Sequence, residues 1–218
     1  MTIDAATRGT LTRDKVIEAA VAFADEHGIE ALSMRRLGHA LGVEAMSLYN
    51  HVEDKDDLLD AMVDRVYREV ATPAPSEDWK ESVRATAISA KAAFVAHPWS
   101  VPLMTSRSVV TDSLLVLMDS MLETLLDAGF SMDTTHRAWH VISSHVMGYV
   151  LQEVGTVWGS DAQHEHDHSK LDALLRSGAD RYRHVLTMVP YLMECSYDEE
   201  FEFGLDVILD GIEARRDG

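Results

Sequence analysis

The chain has 218 residues, 46% of them hydrophobic and 26% charged, which suits one or two compact units with a substantial core. The opening MTIDAATRGT has no apolar h-region, no apolar run approaches the roughly 20 residues that cross a bilayer, and Cys195 is the single cysteine; a secretory signal, a membrane span, an internal disulfide and a multi-cysteine metal site are not expected, and a soluble cytoplasmic protein is. A formal net charge of −18 argues by itself against nucleic acid, because phosphate binding depends on Lys and Arg, so any such reading has to rest on local pattern.

Apolar residues recur with helical period almost throughout and strand-like alternation is absent, so the expected fold is all-α. Residues 13–27 place Val16, Ile17, Ala20, Val21 and Ala24 on one face, with Thr12 as N-cap and Gly28 as terminator. Ser33 caps a short helix over 34–41 that Gly42 closes, and a third short helix follows at 45–51. Asp54 caps a longer helix over 55–71, with Leu58, Leu59, Met62, Val66 and Val70 along its apolar side. ATPAPSED, residues 71–78, carries Pro73 and Pro75 and marks a domain junction, giving 1–72 (with an N-terminal arm over 1–12) and 73–218. Beyond it the spacing predicts helices over 79–97, 108–128, 133–156, 168–188 and 198–215. Pro98 and Pro102 interrupt the stretch HPWSVP, 155–169 is a long polar loop, and Pro190 marks a further boundary.

The most informative block is 33–63. Two short helices flank the turn Gly42-Val43-Glu44, which is helix-turn-helix spacing. Leu37, Leu41, Val43 and Leu48 are spaced to pack the pair inward. That leaves Ala45, Met46, Ser47, Tyr49, Asn50 and His51 on or near the outer side of the second helix, which suits the major groove of double-stranded operator DNA. Charge is compatible with this locally. Residues 1–70 hold 8 basic and 14 acidic side chains, but much of the acid lies in 53–64, while the candidate DNA face uses Arg8, Arg13, Arg35, Arg36 and Lys55.

The helix ending in ADEHG, then LSMRRLGHALGV, then LYNHVEDKDDLLDAM closely resembles the DNA-binding domain of the TetR family of bacterial repressors over residues 11–70. EFEFGLDVILDGIEAR resembles the terminal helix of the branch closest to tetracycline-type repressors. The resemblance implies an N-terminal three-helix helix-turn-helix DNA-binding domain and a C-terminal helical ligand-binding and dimerisation domain. Chemistry then suggests individual roles. Arg35 can reach a guanine or a phosphate. Ser33, Ser47, Tyr49, His51 and Lys55 carry donors suited to phosphates, and Lys55 sits in a first helical turn, where the dipole disfavours a cation unless an outside anion faces it. Ala45 and Met46 stand where many relatives place a polar base reader; here they can meet thymine methyls. Arg8 and Arg13 flank Gly9 in an arm suited to the minor groove. Tyr49 and His51 can instead be local packing residues, and Arg36 a solvated charge.

Two half-sites contacted together imply a two-fold homodimer. Helix 133–156 (Val141, Ile142, Val146, Met147, Val150, Leu151, with Gly148) and the last helix (Phe201, Phe203, Leu205, Val207, Ile208, Leu209, Ile212) are apolar on more than one face, as a four-helix interface requires; a purely internal core is the alternative. A small apolar or amphipathic effector is expected among His97, Trp99, Met118, Met121, Trp139, His140, Ser143 and Met147. No cofactor is expected. His136 and His140, four apart, and the cluster His164-Glu165-His166-Asp167-His168 offer metal-ligand chemistry, so a metal-responsive regulator is the alternative to an organic-ligand sensor. No nucleophile elbow, phosphate-binding glycine loop or zinc-protease motif occurs, which argues against an enzyme.

Overall fold

The computed structural model describes residues 11–73, 78–107, 110–155, 177, 181–194 and 196–216, and every regular element among them is helical. The N-terminal helices start and stop where local chemistry dictates. Helix α1 spans Arg13–His27; the Thr12 side chain accepts from the Lys15 amide, and Gly28 ends it at φ 79°. After a 3-10 turn at Ile29–Ala31, α2 spans Met34–Leu41; the Ser33 hydroxyl accepts from Arg36 N, and Gly42 takes the left-handed conformation at φ 68°. Helix α3 covers only Ala45–Leu48, and α4 spans Lys55–Tyr67 with Asp54 accepting from Asp57 N.

Then come α5 (Trp79–Ala96), capped by Asp78, α6 (Ser100–Ser106), and α7 (Asp112–Asp127), capped by Thr111. Helix α8 spans Met132–Gly155, α9 Arg183–Glu194, and α10 Tyr197–Glu213, capped by Ser196.

Several expected boundaries are corrected, among them the end of the helix over 55–71, which falls at Tyr67, and the start of the one over 108–128, which falls at Asp112. The third short helix stops at Leu48 rather than 51, and His51 and Val52 donate back to the Leu48 carbonyl in a turn instead. HPWSVP does not simply break the chain: α6 begins at Ser100 and carries Pro102 in its first turn, where a missing N–H costs nothing. Pro190 is no boundary either, since α9 runs through it to Glu194 and forgoes one intrahelical bond. Arg8, Cys195 and the His164–His168 cluster lie outside the described residues.

The chain packs as two units, Met1–Ala128 and Gly129–Gly218. In the first, α4 is central and touches α1, α5, α6 and α7. Its Leu58, Met62, Val63 and Val66 are fully buried with Val16 and Ala20 of α1, Leu37, Leu48, Val83 and Leu125; each such side chain contributes about 1.5–3 kcal/mol by leaving water. The opposite side of α4 is acidic but paired. Arg107, just after α6, donates to Asp56 (2.9 Å) and Asp60 (3.3 Å), and Asp64 takes Arg68 at 2.7 Å and the Ser113 amide at 3.1 Å. In the second unit α8 packs on α10 through Ala138, Ile142, Val146 and Val150 against Phe201, Leu205, Leu209 and Ile212.

Candidate nucleic-acid interface

The approach of α2 to α3 is set by two glycines and one buried leucine. Gly42 permits the sharp exit from α2, and the Val43 amide returns to the Gly38 carbonyl at 2.9 Å. Gly38 itself lies inside α2 and was not singled out from the sequence. A Cβ there would stand 3.0 Å from the Val43 oxygen, so any side chain would push the turn out by a few tenths of an ångström. Leu48, fully buried, then anchors α3 to the core.

With Leu37 and Leu48 turned inward, the opposite side is open. Met46 is 74% and Tyr49 43% exposed, and Arg35, Asn50 and Lys55 are exposed too. Ala45, Ser47 and His51 are half-buried at the margin of this face. Lys55 is the first residue of α4, beside Asp56 and Asp57. Two further residues are bound to their own chain: Ser33 caps α2, and the Arg36 guanidinium donates to the Ala31 carbonyl at 3.0 Å and sits over the Phe23 ring at 5.1 Å. The Ser33 hydroxyl keeps its own proton for an outside acceptor.

Arg13 is a correction. It is the first residue of α1, and its guanidinium grips Asp57 through two bonds, at 2.9 and 2.7 Å, and donates to the His51 carbonyl at 2.8 Å. Asp57 accepts the Glu53 amide as well, at 2.9 Å. The bonds from Arg13 hold the Asp57 carboxyl down at about 2, and Asp57 raises Arg13 in turn.

The eight expected effector residues divide between the units. In the first, the His97 ring is buried between two carboxylates, Nδ1 2.8 Å from Asp25 and Nε2 3.1 Å from Glu69, and the Trp99 indole donates to the same Asp25 oxygen at 2.6 Å. These polar atoms bind the junction of α5 and α6 to the C-terminal ends of α1 and α4. Met121 is buried in the core, while Met118 joins Leu115, Val116, Asp119 and Leu122 along a shallow open hollow on α7. In the second unit Trp139, Ser143 and Met147 are half-buried on α8 and His140 is exposed. His140 Nε2 lies 3.2 Å from His136 Nε2, but among the described residues no group of three or more His, Cys, Asp or Glu is placed to hold a metal ion.

The packed pair α8 and α10 also turns apolar side chains outward. Val141 and Leu151 of α8 are exposed, as are Phe203 (68%) and Val207 (58%) of α10. Between the helices His145 stacks on Phe201 with ring centroids 4.9 Å apart and donates from Nε2 to the Phe201 carbonyl at 2.9 Å. Gly204 admits that ring, since a Cβ there would come within 2.5 Å of His145 Cε1.

Comparison with known proteins gives the same picture. The family of tetracyclin repressor-like C-terminal domains matches residues 72–216, and the bacterial regulatory proteins of the tetR family match residues 16–62. The HTH-type transcriptional repressor DrrR1 of Streptomyces coeruleorubidus is 35% identical over 216 residues, covering 94% of this chain and 78% of the relative. Tetracycline repressor protein class C of Escherichia coli is 28% identical over 209 residues, covering 94% of this chain and 92% of the relative. The crystal structure of ActR, a TetR family protein of Streptomyces coelicolor, in complex with actinorhodin is similar at TM-score 0.79 and 26% identity, covering 94% of this chain and 97% of that one.

Proposed function

The chain belongs to the TetR family of bacterial transcriptional regulators, and from that premise we propose that it is a homodimeric repressor that holds operator DNA through α2, α3 and the start of α4 and lets go when a small organic effector binds. The observation that carries this is the open side of the helix-turn-helix, where Arg35, Met46, Tyr49, Asn50 and Lys55 stand exposed above a fully buried Leu37 and Leu48. Tyr49, Lys55, Ser47 and His51 then fix register on phosphates, and Arg35, Ala45, Met46 and Asn50 face base edges. Ser33 and Arg36 act first on α2 itself.

In this reading residues 1–72 carry the DNA-contacting part and 73–218 the effector and dimer part, and the protein works in the cytoplasm, where operator DNA is. The outward Val141, Leu151, Phe203 and Val207 support a two-fold pairing of α8 and α10 with their copies. Met118, Trp139 and Met147 are adaptable apolar side chains suited to a small apolar or amphipathic effector. The actinorhodin complex of ActR makes actinorhodin the first compound to try. His97 and Trp99 serve the helix junction rather than the effector.

The test is selection of duplexes from a random-sequence pool by the full-length protein, followed by anisotropy titration of the selected duplex. Retention of one sequence, and its release by a small apolar or amphipathic compound that also raises Tm, is expected. A protein that enriches no sequence is not the proposed repressor.

A further inference from the structure

We propose that Arg13 is a positioning residue for operator recognition: from the start of α1 it fixes the turn that carries Tyr49 and Asn50, without touching DNA itself. The inference rests on the proposed DNA face and adds a residue to it. Helix α3 is a single turn, too short to hold its own direction. Its near end is fixed by Leu48, with Val52 buried just beyond. Of the three residues between, Tyr49 and Asn50 are exposed, and the carbonyl of His51, in the turn beyond α3, accepts from no backbone amide among the described residues.

Arg13 supplies that missing partner. One terminal nitrogen donates both to the His51 carbonyl and to Asp57, and the other donates to the second Asp57 oxygen. Asp57 in turn takes the Glu53 amide, so one guanidinium links α1, the end of the recognition turn and the first turn of α4. The fork geometry matters, because a lysine offers a point charge and cannot span a carboxylate and a carbonyl with the same fixed angles. The pair is also part-exposed, at 45% for Arg13 and 27% for Asp57, and an ion pair this open adds little to folding. Its value is therefore in geometry: a reading surface tolerates about 0.5 Å of looseness before contacts fail. Three of the five guanidinium N–H donors are committed to the carboxylate and the carbonyl, so the orientation of Arg13 is set inside the protein rather than by phosphate.

The experiment uses the full-length protein, a duplex selected from a random pool and a scrambled duplex of equal length, with affinities measured across a salt series and folding checked by circular dichroism. Arg13→Ala is expected to lower the selected-to-scrambled affinity ratio by about tenfold or more, the scale of one lost base contact, with the slope against salt unchanged. Asp57→Asn, which keeps an acceptor and the same shape, is expected to shift the ratio in the same direction, and the double variant to fall short of the sum of the two effects. Arg13→Lys is expected to leave the ratio low. A loss on both duplexes with a slope smaller by about 0.9 would mean that Arg13 contacts phosphate directly and overturns the proposal. A ratio unchanged in both Arg13→Ala and Asp57→Asn overturns it too. Tyr49→Ala and Lys55→Ala run alongside: unchanged binding in both removes the face, and the clamp with it, whereas weakened binding there with an unchanged ratio in the Arg13 variant removes the clamp alone.

Discussion

A methyl group on Gly38 would stand 3.2 Å from the Cα of Ala45, the residue that opens the recognition helix. The contact is a methyl against backbone atoms, so it cannot be relieved by a rotamer change. Gly38→Ala gains up to about 1 kcal/mol in helix propensity and loses about 1–3 kcal/mol to overpacking. The expected result is a small fall in Tm with a much larger fall in operator affinity, measured by anisotropy on a selected duplex. Wild-type affinity in this variant would show that the turn adjusts freely.

Lys55 and Tyr49 are expected to separate by salt dependence. Lys55→Ala removes one cation from the open face and should reduce the slope of log affinity against log salt by about 0.9. Tyr49→Ala removes a neutral donor and should weaken binding with the slope intact. Titrations at four or five salt concentrations decide it.

Asp57 ties acid stability to the same region. Its carboxyl is lowered from 3.8 to about 2 in the fold, so the native state holds its charged form more tightly than the unfolded chain does. That contribution, small because the pair is part-exposed, is present above about pH 4 and disappears as pH falls through about 2. Thermal melts from pH 6 downward should therefore show wild type and Asp57→Asn converging in acid, and a constant gap would contradict the assignment.

His97 is expected to matter for stability far more than for effector binding. His97→Ala empties a buried position and removes the bridge between Asp25 and Glu69, which keep the Trp99 indole and the Arg65 guanidinium respectively. Loss of a buried hydrogen-bonded group costs about 1–3 kcal/mol, which in a chain of this size lowers Tm by about 2–4 °C per kcal/mol. A variant with unchanged Tm but lost effector response would return His97 to the effector site.

Phe203→Glu and Val207→Glu place charges on the outward side of α10 while leaving its buried Leu205 and Leu209 alone. Sedimentation velocity should show monomers at concentrations where wild type is a dimer, with helical content retained. An intact dimer in both would put the interface elsewhere.

The helix-turn-helix was legible because its signals are short-range. Thr12, Ser33 and Asp54 cap the helices they precede, and Gly28 and Gly42 end the helices they follow, each within three or four residues of its partner. Long-range pairing was not legible. Arg13 meets Asp57 44 residues on, and His97 meets Asp25 72 residues back, and no spacing of neighbours in the sequence announces either pair. Proline was overweighted twice, since Pro102 falls in a first turn and Pro190 inside α9. Gly38 did leave a trace, as a lone glycine in a helical run signals a close approach, but what approaches, Val43 and Ala45, is fixed by the fold of the turn.

The arginine bridges along α4 reframe the puzzle of a −18 polypeptide beside a polyanion. Asp56, Asp57, Asp60 and Asp64 each have an arginine against them, drawn from α1, α4 or the end of α6. An approaching duplex meets this flank as dipoles rather than as a row of bare anions, and the field there falls off with distance far faster than the formal tally implies. Residues 1–70 carry a net −6 and the other 148 residues −12, so the acid is spread evenly along the chain, and it is the arginine pairing along α4 that eases the approach of a polyanion.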